Sequence, residues 1–348
     1  STLKRIGKTI FLGYIKTLFI CLIFVALICL PFFNWNYTTS VSGGNAFSQI
    51  FQMFLNIFPN NIIEPFSSGN TLQIIFIAFI IGIALIFLGK KTTSVARAIE
   101  QINYIIQFIT EFISKLVPFF TFNALLIMIW TSTVDSFLSM WKLFALLIGV
   151  IIIVTALLIG YCSLKQKTNF LSLTKKGLPT LISAITTASS AAAFGMNIKS
   201  STEEFGIDKS LVAFSIPLGM VLFKITTAIS YILLAYFYAE FFEITVTLDW
   251  FVLVIVISGV LAMATPPIPG GATISYTILF TQFLSSGGSE IISLALAMTV
   301  TIDVFLDFIT TGFDQFLLPF ALLNPASKID LLDKNVLRSK KTHNKEEK

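Results

Sequence analysis

The chain has 348 residues, 55% of them hydrophobic and 12% charged, with mean hydropathy +0.88 and net charge +5. Soluble domains carry about 25% charged residues, so this composition excludes a water-soluble globular protein and indicates an integral membrane one. Its apolar runs approach twenty residues each, which suits membrane helices and not the alternating ten-residue strands of a β-barrel.

The basic residues set a topology. No Lys or Arg occurs between Lys16 and Lys90, and basic residues gather at Lys4/Arg5/Lys8, Lys90/Lys91/Arg97, Lys165/Lys167/Lys175/Lys176 and after Lys328. Acidic residues without basic neighbours stand at Glu64, Glu240/Glu243/Asp249 and Glu290. The positive-inside bias places the first group, with the C-terminus, in the cytoplasm and the second outside. These clusters are topological and give no reason to expect nucleic acid. Cys21, Cys29 and Cys162 lie in apolar segments without metal-ligand spacing, and His343 sits in a charged tail, so neither metal nor cofactor is expected.

In chain order, a first helix from about Leu3 to Phe33 leaves the cytoplasm; it is too long for a signal peptide and lacks a cleavage site. A polar stretch (34–45), a short amphipathic helix to Phe58 and the helix-breaking run Pro59 to Pro65 follow. Thr71 to Gly89 returns to the cytoplasm. Ser94 to Ile113 is juxtamembrane and leads outward to Trp130, and Trp141 to Leu164 comes back, both tryptophans suiting the interface. Leu171 to Ile198 contains Gly177, Pro179 and the small-residue run Thr186 to Ala193, with cytoplasmic charges on both flanks, so it enters and leaves by one face. Asp208 and Lys209 open an outward helix, Leu211 to Ala239. Leu248 to Leu284 is interrupted at Ala264-Thr-Pro-Pro-Ile-Pro-Gly-Gly-Ala272, and both its ends read as external. Non-helical backbone at membrane depth is tolerated only where it is buried or lines a cavity. Two interrupted segments, one from each face, mark the binding site of a secondary transporter.

The last apolar segment, about Ile291 to Leu323, carries Asp303, Asp307 and Asp314 at i, i+4 and i+11. At about 3.6 residues per turn they share one stripe with Thr310, with Thr311 at its edge, while Phe305, Phe308 and Phe316 project from the other side. A carboxylate at mid-membrane costs about 2.5 to 3.5 kcal/mol on insertion scales, so this stripe must face protein or a wet cavity.

These features resemble the dicarboxylate/amino acid:cation symporter family, the glutamate-transporter family. The resemblance rests on the hairpin tip Ala188-Ser-Ser-Ala-Ala-Ala193, on Ser215-Ile-Pro-Leu-Gly219, on Ile268-Pro-Gly-Gly271 and on the Asp-x-x-x-Asp of Asp303 and Asp307. Arg5-Ile-Gly7 and Phe76 to Ala84 are similar to the family too. The likeness runs from the first hairpin to the last helix, and more loosely from Ser1. It implies an all-α elevator-type transporter with two re-entrant helical hairpins of opposite orientation, a multi-pass plasma-membrane protein that forms a homotrimer in the lipid bilayer. The expected division is 1–33 as the first helix of the transport domain, 34–135 as scaffold and trimerisation helices, and 136–330 as transport domain. Within the last, hairpin one covers about 171–205, hairpin two about 248–286 and the last helix about 290–323; residues 331–348 are a charged cytoplasmic tail. The similarity begins at the family's third helix, so either the sequence is incomplete or the protein is a reduced version.

The departures matter most. Where the family's helix unwinds at Asn-Met-Asp-Gly-Thr to hold sodium, this chain reads Phe223-Lys-Ile-Thr-Thr227. The family's Asn on the last helix is Asp314, and its further sodium-binding Asp is Leu318. Tyr14 and Thr17 match another cation site, yet the neighbouring Ser is Leu18. At least three sodium ligands are gone, and Lys224 stands alone in an apolar helix. An ammonium there is expected to face Asp303 or Asp314, giving sodium-independent transport in which the Lys–Asp cluster exchanges a proton; a permanent tether with no coupling role is the alternative.

The resemblance assigns the substrate's amino group to Asp307. The position that is Arg in acidic-substrate members is Thr310, so a small neutral or polar amino acid is favoured over glutamate or aspartate. Thr227, Thr311 and Asp314, with backbone groups at Ser189, Ser190, Ile268 and Gly270, complete the expected substrate site; Lys224, Asp303, Asp314, Tyr14 and Thr17 form the coupling site. Two other readings stand beside it: a sodium- or proton-coupled glutamate or dicarboxylate symporter, and an anion-conducting channel. An intramembrane aspartyl protease fits poorly, because Asp303 and Asp307 share one helix and no Gly-x-Gly-Asp occurs. No enzymatic motif is present.

Overall fold

The computed structural model describes residues 2–37, 58–68, 71–102, 134–187, 189–265 and 272–339, with positions 104, 105, 108, 119, 122 and 126. The amphipathic piece before Phe58, most of the stretch from 103 to 133 including Trp130, and Ile268 and Gly270 at the second tip lie outside them. Among the described residues four stretches are long and apolar enough to cross a membrane: Thr9–Phe32, Met140–Gln166, Lys209–Phe241 and Phe305–Lys328.

The helices follow the expected order: α1 (Thr2–Cys29), α2 (Glu64–Ser68), α3 (Thr71–Leu88), α4 (Val134–Gln166), α5 (Phe170–Thr187) and α6 (Ser190–Lys199). They continue as α7 (Lys209–Leu222), α8 (Ile225–Phe241), α9 (Leu248–Ala264), α10 (Thr273–Phe283), α11 (Ser289–Lys328) and α12 (Lys334–Arg338). The outward helix expected over 211–239 is broken at Phe223 and Lys224, whose ψ angles of 65° and 66° leave the helical region. Beyond the break, α8 is buried from Ile225 to Ala239 apart from half-buried Thr227, and α1, α4, α9, α10 and α11 surround it.

Each interrupted segment folds back on itself. At the base of α5 and α6, Lys176 Nζ donates to the Glu204 carbonyl at 2.7 Å. At the base of α9 and α10, Trp250 Nε1 donates to the Phe283 carbonyl at 3.3 Å. Helix α4 connects the two ends of the molecule. Near its start Lys142 pairs with Glu240 at 2.5 Å, and its last residue, Gln166, accepts from Arg338 on the backbone at 3.1 Å.

At the Glu240 end, α1 is tied to α8 by a feature not visible in the sequence. Two-residue strands β1 (Asn36–Tyr37) and β2 (Thr245–Val246) pair in parallel, and Asn34 donates twice to Glu240 at 3.0 and 3.1 Å. Above them Trp35, Tyr236, Trp250 and Phe251 pack mostly edge to face, the arrangement favoured by ring quadrupoles.

At the opposite end, residues 331–339, the first part of the charged tail, are docked on the rest of the protein. Asp208 N donates to the Leu331 carbonyl at 3.0 Å and Asp333 N to that of Gly206 at 2.8 Å. Gly206 has φ +70°, and a Cβ there would lie 2.6 Å from the Asp333 carbonyl oxygen, so the approach needs glycine. Lys176, buried at this end, also donates to the Val336 carbonyl at 2.8 Å.

Helix α11 lies along α5, and the two meet closely. Phe316, expected on the far side from the carboxylates, is buried rather than lipid-facing, because α5 covers that side as well. A Cβ at Gly177 would stand 2.6 Å from the Phe316 ring and 3.1 Å from that of Phe320.

Two predictions follow from this packing. Gly177→Val is expected to destabilise by about 1 to 3 kcal/mol through overpacking against rigid rings, whereas Gly160→Ala, with open space around it, should hold or raise the melting temperature. Detergent-solubilised thermal unfolding checks both. Asp208 caps α7, accepting from Ser210 N at 2.9 Å and from the Ser210 hydroxyl, and these donors hold its carboxyl below the usual carboxylate range. Its stabilisation is therefore full above the unfolded value of about 4 and lost as pH falls through the lower folded value. Asp208→Ala should cost about 1 kcal/mol at neutral pH, and the difference from the parent should close on acidification below pH 4.

Candidate functional site

The site is built around the α7–α8 break. A break at membrane depth frees backbone N–H groups at the start of α8, and something must satisfy them. Asp314 does so from α11. Thr226 N donates to its Oδ1 at 2.7 Å and Thr227 N to its Oδ2 at 3.4 Å. The Thr227 hydroxyl donates to Oδ2 at 2.6 Å, and the Thr226 hydroxyl lies 2.7 Å from both Oδ1 and the Thr310 carbonyl. A carboxylate held at a helix N-terminus sits where the helix dipole favours negative charge. Asp314 is only 2% exposed.

Lys224, the second residue of the break, is 5% exposed and is not turned to lipid or solvent. Its Nζ donates to the Thr265 carbonyl at 2.5 Å. Thr265 ends α9, so the ammonium meets the carbonyl end of that helix, where positive charge is favoured. Lys224 feels the charges of Asp314 and Asp307, but the expected direct pairing of its ammonium with Asp314 or Asp303 is not formed. The reason is geometric: the α8 threonines occupy Asp314, and Tyr276 occupies Asp303.

Around this core is a polar set that the sequence did not single out. The Thr265 hydroxyl lies 2.6 Å from Tyr231 Oη and 3.0 Å from Ser275 Oγ. Tyr276 donates to Asp303 Oδ1 at 2.7 Å, and its ring meets that of Tyr231 edge to face. Asp303 is buried, while Asp307, one turn along, is half-buried. The usable signal was hydroxyl-bearing residues at intervals in apolar helices, but such residues also bond locally to backbone.

The other predicted positions separate. Thr310 is buried and its hydroxyl donates to the Leu306 carbonyl of its own helix at 2.9 Å, so it presents no free hydroxyl; Thr311 is half-buried beside it. Thr227 is half-buried, and its hydroxyl is engaged with Asp314. Ser189 caps α6, accepting from Ala192 N at 3.3 Å, and Ser190 is buried at the first position of that helix.

The two α1 residues part company. Tyr14 donates to the Ser215 carbonyl on α7 at 3.0 Å, and its ring packs on Phe223. Thr17 donates to Gly13 within α1 at 2.8 Å and lines a cavity between α1, α4 and α11. Where the family resemblance puts sodium ligands, Phe223, Ile225 and Leu318 are buried at 1%, 0% and 0% exposure. A Cβ at Gly219 would meet Leu318 and Tyr14 at 2.3 and 2.8 Å, so α1, α7 and α11 close tightly on one another there.

Residues 1–313 match the sodium:dicarboxylate symporter family. The chain is 25% identical over 228 residues to the proton/sodium-glutamate symport protein of Bacillus caldotenax, covering 66% of this chain and 53% of that one. It is 26% identical over 168 residues to the C4-dicarboxylate transport protein of Cupriavidus pinatubonensis, covering 48% and 39%. With that of a Geobacter species it shares 28% over 190 residues, covering 53% and 41%. The chain thus spans about half the length of the curated relatives it matches. With a match over nine-tenths of its residues, an all-helical membrane architecture and acidic residues gathered at a broken helix, the chain belongs to the sodium:dicarboxylate symporter family.

Proposed function

We propose that this protein is a secondary transporter of a small neutral or polar amino acid, working without sodium and exchanging a proton at the Lys224–Asp cluster. One observation carries the reading. A buried ammonium stands in the helix break, 2.5 Å from the Thr265 carbonyl, while Phe223, Ile225 and Leu318 pack where sodium ligands are expected. Sodium needs several oxygens in place of its hydration shell. A fixed cation beside Asp314 and Asp307 supplies the same charge without that shell.

In this reading Asp307, the half-buried carboxylate, takes the substrate's amino group. No Arg follows it at position 310 to clamp a second carboxylate. Residues 1–33 and 136–330 form the moving body and 34–135 the scaffold of a homotrimer, with hairpins entering from opposite faces and the C-terminus in the cytoplasm. The names of the relatives, which point to glutamate and C4-dicarboxylates, favour a second reading in which Lys224 itself receives a substrate carboxylate.

The full chain in reconstituted vesicles distinguishes these. Uptake is expected to persist when choline replaces sodium; its abolition overturns sodium independence. Serine and alanine should raise the melting temperature more than glutamate, aspartate or succinate, and the reverse order favours the second reading. Lys224→Met leaves the Thr265 carbonyl without its ammonium donor and should cost about 1 to 3 kcal/mol while abolishing substrate-driven proton movement. Unchanged proton movement in a folded Lys224→Met protein removes the coupling role.

A further inference from the structure

A cavity lies outside the candidate transport site. It occupies about 550 Å³ between α1, α4 and the last three turns of α11. Along α1 it runs from Thr9 to Phe24, about 22 Å at 1.5 Å per residue. One end is apolar, with Ile20, Phe24, Val154 and Leu157 among its walls; Lys16, midway along α1, and Lys165 and Lys328 line the remainder.

The three lysines come from three different helices and lie within about one turn of a common level. Gln166 of α4 bonds to Asn324 of α11 at 2.9 Å, and a Cβ at Gly13 of α1 would touch Pro325 at 3.3 Å. Lys165 is therefore level with Asn324, Lys16 lies one turn to one side and Lys328 one turn to the other. All three are exposed, and none forms an ion pair with a described residue. Lys165 leans on Tyr161, donating to its hydroxyl at 2.9 Å. A single lysine at a helix end reaches out to the interface on its own account. Three converging on the mouth of an apolar slot form a complementary surface for a molecule with an anionic head and a hydrocarbon tail.

We infer that this cavity is a binding site for one anionic phospholipid, its phosphate among Lys16, Lys165 and Lys328 and an acyl chain between α1 and α4. The basic end belongs to the face that carries Lys4, Arg5, Lys8, Lys167 and Lys175, which the charge bias assigns to the leaflet where anionic lipid is attracted. The site touches three helices of the body that holds the acidic cluster, so an occupied slot fixes α1 and α4 against α11.

Native mass spectrometry of the full chain tests this. Purified protein is titrated with phosphatidylglycerol or phosphatidylcholine, and separately with inorganic phosphate. One phosphatidylglycerol should be retained per chain, with phosphatidylcholine held at least tenfold more weakly. The K16Q/K165Q/K328Q variant should lose about tenfold or more of the phosphatidylglycerol affinity, since each Lys near an anionic head contributes about fivefold. The K16R/K165R/K328R variant, which keeps the charge and checks folding, should retain it. Equal retention of both lipids, undiminished binding in the Gln variant, loss in the Arg variant, or displacement by millimolar inorganic phosphate would each overturn the assignment.

Discussion

The structure depends on how one break in a buried helix is satisfied. Phe223 and Lys224 leave the helical region inside the protein, where water is not available to accept or donate in place of the lost backbone bonds. Asp314 reaches across from α11 and receives the N–H and hydroxyl groups of Thr226 and Thr227. A carboxylate in this position is both a cap and a charge, so it has to be compensated. Lys224 supplies the positive charge from the break itself, and its own hydrogen bond goes to the carbonyl that ends α9. The first broken element, the acidic helix and the second hairpin are thereby locked into one electrostatic arrangement. Removing any member leaves another buried polar group unsatisfied, which typically costs more than the intact bond contributes.

Much of this was legible in the sequence. The apolar lengths gave the spans, Asp208 and the small-residue run gave the start of α7 and the turn of the first hairpin, and the i, i+4, i+11 carboxylates gave the polar stripe. Local patterns of this sort work because capping, breaking and periodicity depend on neighbours in sequence. The partners of the charged groups did not show, because they are set by packing. Nothing in Phe223 to Thr227 says that Thr226 would serve Asp314 from 88 positions away, or that Lys224 would choose a carbonyl over a carboxylate. The burial of Phe316 was hidden for a related reason. A helical wheel divides a helix into two faces, yet α11 near its end is covered on both.

Membership of the symporter family and departure from its ion-binding residues are compatible. The scaffold features persist: two folded-back helix pairs, a broken helix between them and an acidic helix alongside. The change is confined to what fills the space at the break. Where the resemblance leads one to expect oxygen ligands, an aromatic ring and two aliphatic side chains are buried, with an ammonium bonded to the Thr265 carbonyl among them.

The docking of residues 331–339 has a practical meaning for watching the molecule at work. Asp333 and Val336 are bonded to the base of the first hairpin through Gly206 and Lys176, and Arg338 holds the end of α4. A spectroscopic label at Ser339 would therefore ride with that hairpin instead of trailing from the last helix. It offers a reporter for movement of that hairpin that leaves every residue of the acidic cluster untouched.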